Sequence, residues 1–302
     1  MSVLSSSTHV LVAGASGSVG RHVVEQLLSR GCRVTALCRN ASKLSTLFAG
    51  GVSVVEQDVR AVVVDDLVDV DVVVSAVGGS VMPGLLPRQG FDVLDVEPNL
   101  HLVGVAREAG IGHFAYVSAA GAGDAAPDEG YVGAHAAVEH AIREAGFASH
   151  SLVRPVGLHS AFAALVPYTW WRVFPVMGAG DVVTNPVAEA DLAAVLVDVI
   201  DAGGGVRDVG GPDVLRRKDI AQAVAASAGR RCWHPSVSLR WVRLAAWMLS
   251  LIHPRNSALL SFYADVHAHD CVADAVGATS LSTSLASTSL ASRSLGPTPP
   301  TS

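Results

Sequence analysis

The amino-acid sequence predicts an α/β protein: a doubly wound parallel sheet with a small C-terminal lobe set over its strand ends. Three observations carry that reading. Short valine-rich runs alternate with stretches of helical periodicity through the first half of the chain, the pattern of repeated β-α units with right-handed crossovers. The first run leads through three glycines at three-residue spacing directly into a helix. Finally, 50% of the 302 residues are hydrophobic and only 16% charged, which suits strands covered on both faces.

In chain order, Val10 to Ala13 reads as a buried strand and Gly14, Gly17 and Gly20 as a turn, while Val19, Val23, Val24, Leu27 and Leu28 give the next helix its apolar stripe. Such a turn aims a helix N-terminus, with its unpaired N–H groups and positive dipole end, at a phosphate that residues without side chains let approach. A dinucleotide pyrophosphate is the usual occupant, so Gly14, Ser16, Gly17, Ser18, Val19 and Gly20 form the candidate cofactor cradle. Arg33 to Cys38 is the second strand, Ser42 to Phe48 a short helix, Val52 to Glu56 the third strand and Val70 to Val77 the fourth. Glycines and prolines across 79–90 mark a loop. A helix follows to Ala109, in which Pro98 either sits in the first turn or kinks a longer helix beginning near Phe91. His113 to Ser118 is the fifth strand, Ala119 to Gly130 a loop, Tyr131 to Ala145 a helix and Ser149 to Arg154 the sixth strand. On this reading residues 1–155 form the dinucleotide-binding domain, and six or seven parallel strands are expected in the whole sheet.

Beyond Pro155 the regularity fades. Residues 156–278 make the C-terminal lobe, opening with aromatics and prolines at 162–175. An amphipathic helix, Glu189 to Asp201, is expected to pack back on the sheet, followed by a short strand, Val206 to Val209, and helices near 216–228, 239–252 and 258–267. Trp233, Trp241 and Trp247 are expected to pack the core of this lobe. The alternative for 239–252, which carries Arg240 and Arg243, is peripheral contact with a membrane surface or a partner. The Ser/Thr/Leu/Ala alternation over 279–302 reads as a disordered tail.

Composition removes several classes of function. Lys and Arg number 21 against 27 Asp and Glu, a net charge of -6, so no nucleic-acid partner is expected. No apolar run reaches the roughly 18–20 residues that span a bilayer, and the first residues lack the basic and apolar regions of a secretory signal. Cys32, Cys38, Cys232 and Cys271 show no metal-ligand spacing, and His267-x-His269-Asp270 lacks a further ligand, so no metal is expected. Reduced thiols make the cytoplasm the default location.

Cofactor choice is read at the end of the second strand, where a carboxylate would bind the adenosine 2′-hydroxyl. Arg39, with Lys43 nearby, stands there instead, which suits a 2′-phosphate and NADP(H) in preference to NAD(H). Asp58 and Val59, beyond the third strand, contact the adenine or cap a turn. Ser118, Tyr131 and His135 are the candidate chemical group, because Tyr131 and His135 share a helix face near the end of the fifth strand. A phenol serves as acid or base only where a neighbouring positive charge favours its anion.

The stretches Val10 to Gly20, Asp95…Asn99-Leu100…Ala106 to Ile111, Phe114 to Ser118, Tyr131…Val138-Glu139…Ile142 to Gly146, Leu152 to Pro155, Asn185 to Val187 and Gly210 to Leu215 together resemble the short-chain dehydrogenase/reductase superfamily. More narrowly they resemble its atypical NAD(P)-binding branch, which includes NmrA-like proteins and the dehydrogenase-like accessory subunit of respiratory complex I. The resemblance implies a Rossmann-type fold in which Gly14, Gly17 and Gly20 hold the pyrophosphate and Ser75, Ala76, Val77 and Gly78 pass the adenosine ribose. It implies that Ser118 orients a substrate carbonyl, Tyr131 donates the proton, Asn99 supports a water relay, and Arg154 and Pro155 lie near the nicotinamide. Where active members of the superfamily carry a lysine four residues after the tyrosine, this chain has His135. The expected function is NADP(H)-dependent hydride transfer to or from a small carbonyl or hydroxyl substrate. The alternatives are a non-catalytic NADP(H)-binding redox sensor or assembly factor, and an epimerase or isomerase that holds NAD(P) tightly.

Overall fold

The computed structural model describes residues 3–45, 52–79, 81–82, 89–123 and 130–294. The end of the expected helix at 46–48, parts of the two loops at 79–90 and 119–130, and the tail beyond 294 lie outside these residues.

Eight strands form one parallel sheet: β1 (His9–Ala13), β2 (Arg33–Cys38), β3 (Val52–Glu56), β4 (Val72–Ser75), β5 (His113–Val117), β6 (Ser149–Pro155), β9 (Gly205–Gly210) and β12 (Asp274–Ala275). Their order is β12-β9-β6-β5-β4-β1-β2-β3, with Val10 opposite both Val34 and Val72. The chain's progression across the sheet reverses between β1 and β4, with β2 and β3 laid down on one side and β4 to β6 on the other, and such a switch point is where an open α/β sheet binds its ligand. The expectation of six or seven strands is one or two short. The two-residue β12 pairs at the edge with Val209 and Gly210 of β9, and so brief a segment carries no periodicity to read.

The apolar strands follow from burial on both faces. Val10, Val12, Val34, Ala36, Val72 and Val74 face α1 (Gly20–Ser29) and α6 (Glu189–Asp201). Leu11, Ala13, Leu37, Val73, Phe114, Tyr116 and Leu152 face α3 (Glu97–Glu108) and α4 (Tyr131–Glu144). Alternate residues thus enter opposite cores, so a whole strand is apolar. A short α2 (Ser42–Ser45) follows β2. Before α3 the chain runs through a π turn, Asp92–Val96. Pro98, in the first turn of α3, has no N–H for the carbonyl one turn back, and the wider turn accommodates it.

The C-terminal lobe comprises α5 (His159–Ala163), α7 (Arg217–Ser227), α8 (Leu239–Ser250), α9 (Pro254–Val266) and α10 (Leu281–Ser294). Two small ladders brace it: β7 (Val176–Met177) with β11 (Ser236–Val237), and β8 (Val183–Thr184) with β10 (Leu215–Arg216). Disorder is the expectation for 279–302; the structure has a helix over 281–294 instead. Leu281 and Leu285 are each 1% exposed and pack on Ile220 and Val224 of α7, and the Ser284 hydroxyl lies 2.7 Å from His159 Nδ1. Leucines four apart form a stripe that the low-complexity composition conceals. The expected burial of Trp233, Trp241 and Trp247 is also overturned, since all three are exposed by 66% or more. The inner face of α8 is built from Val242 and Ala246, and residues 241 and 247 fall outside that stripe.

Candidate functional site

The glycine turn is shaped by backbone contact. Gly14 has φ of +78°, and a Cβ there would lie 2.6 Å from the Ala76 carbonyl oxygen. At Gly20 a Cβ would lie 2.2 Å from the Gly14 oxygen, so both glycines are required by the fold itself. Gly17 is exposed at the tip, and its Cβ would meet only the Gly14 oxygen, at 3.1 Å. Helix α1 starts beside Val19 with no side-chain cap; the Arg21 and His22 N–H groups donate to the carbonyls of Gly17 (3.3 Å) and Val19 (3.0 Å), so an anion would meet the positive dipole end and the turn residues just before them. Ser16 is half-buried and Ser18 exposed on the same turn. This cradle fits a pyrophosphate.

The loop after β4 closes one side of the cradle. Asn99 is fully buried; its Oδ1 accepts from Ser75 Oγ at 2.6 Å, and its Nδ2 donates to the carbonyls of Val77 (3.1 Å) and Asp95 (2.6 Å). Asn99, expected in a water relay, therefore has both amide protons committed, one to the Val77 carbonyl of the loop and one to the Asp95 carbonyl a turn before it, while its oxygen holds Ser75. Gly79 N–H donates to Asp95 Oδ1 at 2.5 Å, and Asp95 Oδ2 has no partner among the described residues. Burial raises the Asp95 carboxyl above its ordinary value, against the lowering effects of the Gly79 bond and Arg255.

At the adenosine end, Arg39 is exposed just after β2, and Lys43 falls in α2. Glu56, at the end of β3, accepts the Ala41 N–H at 2.9 Å, a carboxylate near the basic residue that the sequence reading did not weigh. Asp58 caps the turn of Val59–Ala61 by accepting from Arg60 N–H at 2.9 Å, the second of its two expected roles.

Helix α4 carries a stripe at four-residue spacing, Tyr131, His135, Glu139 and Arg143. Tyr131 stands edge-on to Phe91 and His135, with ring centres 5.5 and 4.7 Å away, and lies 4.9 Å from Phe262 of α9. Burial first, then Asp95 and Tyr263, hold its phenol well above the ordinary value. His135 Nδ1 lies 2.7 Å from the Tyr116 hydroxyl, and its buried Nε2 has no partner among the described residues. Burial pulls this imidazole down to about 4, so it is neutral and cannot lower the Tyr131 pKa as a lysine would.

One turn on, Ser118 Oγ donates to Glu139 Oε1 at 2.6 Å. Arg154 grips both oxygens of Glu139, and Arg143 donates to Oε2 at 2.7 Å. Ser118, expected to orient a substrate carbonyl, and Arg154, expected beside the nicotinamide, belong to this second cluster and not to that of Tyr131 and His135. Pro155 ends β6 opposite Val209. Glu139 is the residue the sequence reading missed as a functional partner. Its signal was the four-residue stripe, which is visible only once the helix face is known to be inward. Among the described residues no group of three His, Cys, Asp or Glu side chains could hold a metal.

A glycine cradle at the switch point of a parallel sheet, with an uncapped helix aimed into it, defines a dinucleotide-binding protein. The NAD(P)H-binding family profile matches residues 14–203, and the chain belongs to that family. It is 30% identical over 226 residues to the chloroplastic divinyl chlorophyllide a 8-vinyl-reductase of Zea mays, a match covering 68% of this chain and 56% of that protein. This chain therefore spans little more than half the length of that relative. It is 25% identical over 264 residues to the NAD(P)H azoreductase of Xenophilus azovorans, covering 84% and 86% of the two. The NADPH-dependent quinone oxidoreductase QOR2 of Escherichia coli superposes with a TM-score of 0.67 at 20% identity, over 92% of this chain and 99% of that one.

Proposed function

We propose that this protein is an NADP(H)-dependent oxidoreductase acting on a small, rather apolar carbonyl or hydroxyl compound. Nicotinamide, when bound, supplies or accepts the hydride. Gly14 to Gly20 hold the pyrophosphate, Ser75 to Gly78 flank the ribose, and Arg39 receives the 2′-phosphate. The observation that carries the reading is the placement of Tyr131, enclosed by Phe91, His135 and Phe262. Burial keeps its phenol protonated and makes it a weaker acid than a free one, so its hydroxyl serves as a hydrogen-bond donor to a substrate oxygen and passes its proton only as charge grows on that oxygen. Phe91 and Phe262 give the substrate apolar walls. Ser118, Glu139 and Arg154 act on this site as positioning residues, fixing α4 against β5 and β6. Four free cysteines support a reducing, cytoplasm-like setting, and among the described residues no helix is long and apolar enough to cross a membrane.

The test is Tyr131→Phe, assayed by NADPH oxidation with a quinone, an azo dye and an aldehyde. The expected loss in kcat is about 10²- to 10⁴-fold, with the NADPH-induced rise in melting temperature retained. Unchanged turnover overturns the role of Tyr131. The second reading, a nucleotide-binding protein without turnover, is favoured by neutral His135 at the lysine position; it holds if the wild type binds NADPH but oxidises it with none of the three. Net NADPH consumption rules out epimerisation.

A further inference from the structure

All five tryptophans of the chain are exposed, between 66% and 77%, and all lie in the C-terminal lobe: Trp170, Trp171, Trp233, Trp241 and Trp247. Segments of this surface are joined. Val173 bridges to Trp233, β7 pairs with β11, and α8 follows directly. Helix α8 is apolar on two sides. Val242 and Ala246 are buried, while Trp241, Leu244, Trp247 and Met248 are exposed, with Leu251 and Ile252 just beyond at 80% and 72%. An apolar helix face left in water marks an interaction surface.

Charge identifies the occupant. Residues 220–264 contain five arginines and no acid, in a chain of net charge -6. Of these, Arg231, Arg240 and Arg243 are exposed, as is Arg172 beside Trp171. Arg230 lies over the Trp170 ring at 4.3 Å. Asp265 of α9 pairs with Arg243 at 3.2 Å, and Asp181 pairs with Lys218 at the edge of the lobe. A second copy docked about a two-fold axis would set this arginine-rich patch against itself. A surface of negative headgroups over hydrocarbon matches both properties, because tryptophan favours the boundary between water and acyl chains and arginine favours anionic lipid.

We propose that the outer face of α8, with the adjoining tryptophan-bearing segments, docks this protein on an anionic lipid surface. The contact is peripheral, since α8 has only 12 residues and lies along the boundary. It also connects to the candidate site: α9 packs behind α8 and presents Phe262 to Tyr131, so an apolar substrate dissolved in the bilayer would be taken up beside the chemical group. The docking itself does not depend on the proposed activity.

The test is flotation of the full chain with vesicles of phosphatidylcholine plus phosphatidylglycerol, and with phosphatidylcholine alone. The expected result is partitioning at least roughly tenfold stronger on the anionic vesicles, weakened by added salt, with a blue shift of tryptophan emission. Trp241→Gln combined with Trp247→Gln should lower partitioning by roughly tenfold or more at unchanged melting temperature, since both side chains are exposed. The proposal is overturned if the wild type floats with neither vesicle, or if the double variant partitions like the wild type. It is also overturned if the wild type is a dimer that these substitutions dissociate, which would make the face an interface between copies.

Discussion

Arg154 holds Glu139 in a two-pronged grip, Nε to Oε1 at 2.8 Å and Nη2 to Oε2 at 2.6 Å, and the carboxylate so held also accepts from Ser118. Burial pushes the Glu139 carboxyl up, but the bonds from Arg154 and Ser118 outweigh it and hold the group below its ordinary value. The pair links α4 to β6 and sets the height of Tyr131 above the sheet ends.

Removing that carboxylate leaves a largely buried guanidinium without its main partner. Glu139→Ala should cost about 3–5 kcal/mol in urea unfolding, whereas Ser118→Ala, which loses one hydrogen bond, should cost about 1–3 kcal/mol. Because its folded pKa is depressed, the contribution of Glu139 is present above the ordinary carboxylate pKa and is lost as pH falls through the folded value.

Three histidines make stability depend on pH in a separate window. Burial lowers His113, His135 and His267 to about 4, so between roughly pH 6.5 and 4 the unfolded chain binds protons that the native state refuses. Stability should fall as pH drops through this range, by up to about 1.4 kcal/mol per unit for each histidine. His135→Gln should flatten the slope of unfolding free energy against pH between roughly 6 and 4.5, the middle of the window, by up to about that amount; an unchanged slope would show the imidazole is protonated in the fold.

The three glycines should separate by function. Gly20→Ala forces a Cβ into the Gly14 carbonyl and should lower the melting temperature. Gly17→Val meets little protein, so it should leave the fold intact while removing the thermal shift produced by NADPH.

Arg39→Ala should weaken NADPH by about 10- to 100-fold, the worth of a hydrogen bond to a charged group, and leave NADH affinity nearly unchanged. Isothermal titration of both nucleotides decides it. Equal loss for both would remove Arg39 from cofactor selection.

Leu281→Ala with Leu285→Ala should destabilise by several kcal/mol, at about 2–5 kcal/mol for each buried leucine. A disordered segment would show no effect on the unfolding midpoint.

The sheet, the glycine turn and the helix bearing Tyr131 and His135 were legible in the sequence because each rests on local periodicity: apolar runs, three-residue glycine spacing and a four-residue stripe. Strands β2 and β3 have the expected bounds for the same reason. Tertiary structure decided what periodicity cannot express. It set His135 Nδ1 against the Tyr116 hydroxyl, gave Ser118 and Arg154 to Glu139, buried Leu281 and Leu285 of a low-complexity segment, and left every tryptophan in solvent. In each case the outcome depends on which distant element lies opposite a side chain. A hydroxyl, an imidazole or an indole takes its role from that partner and from the water removed around it, and neither is encoded within one helical turn of the residue.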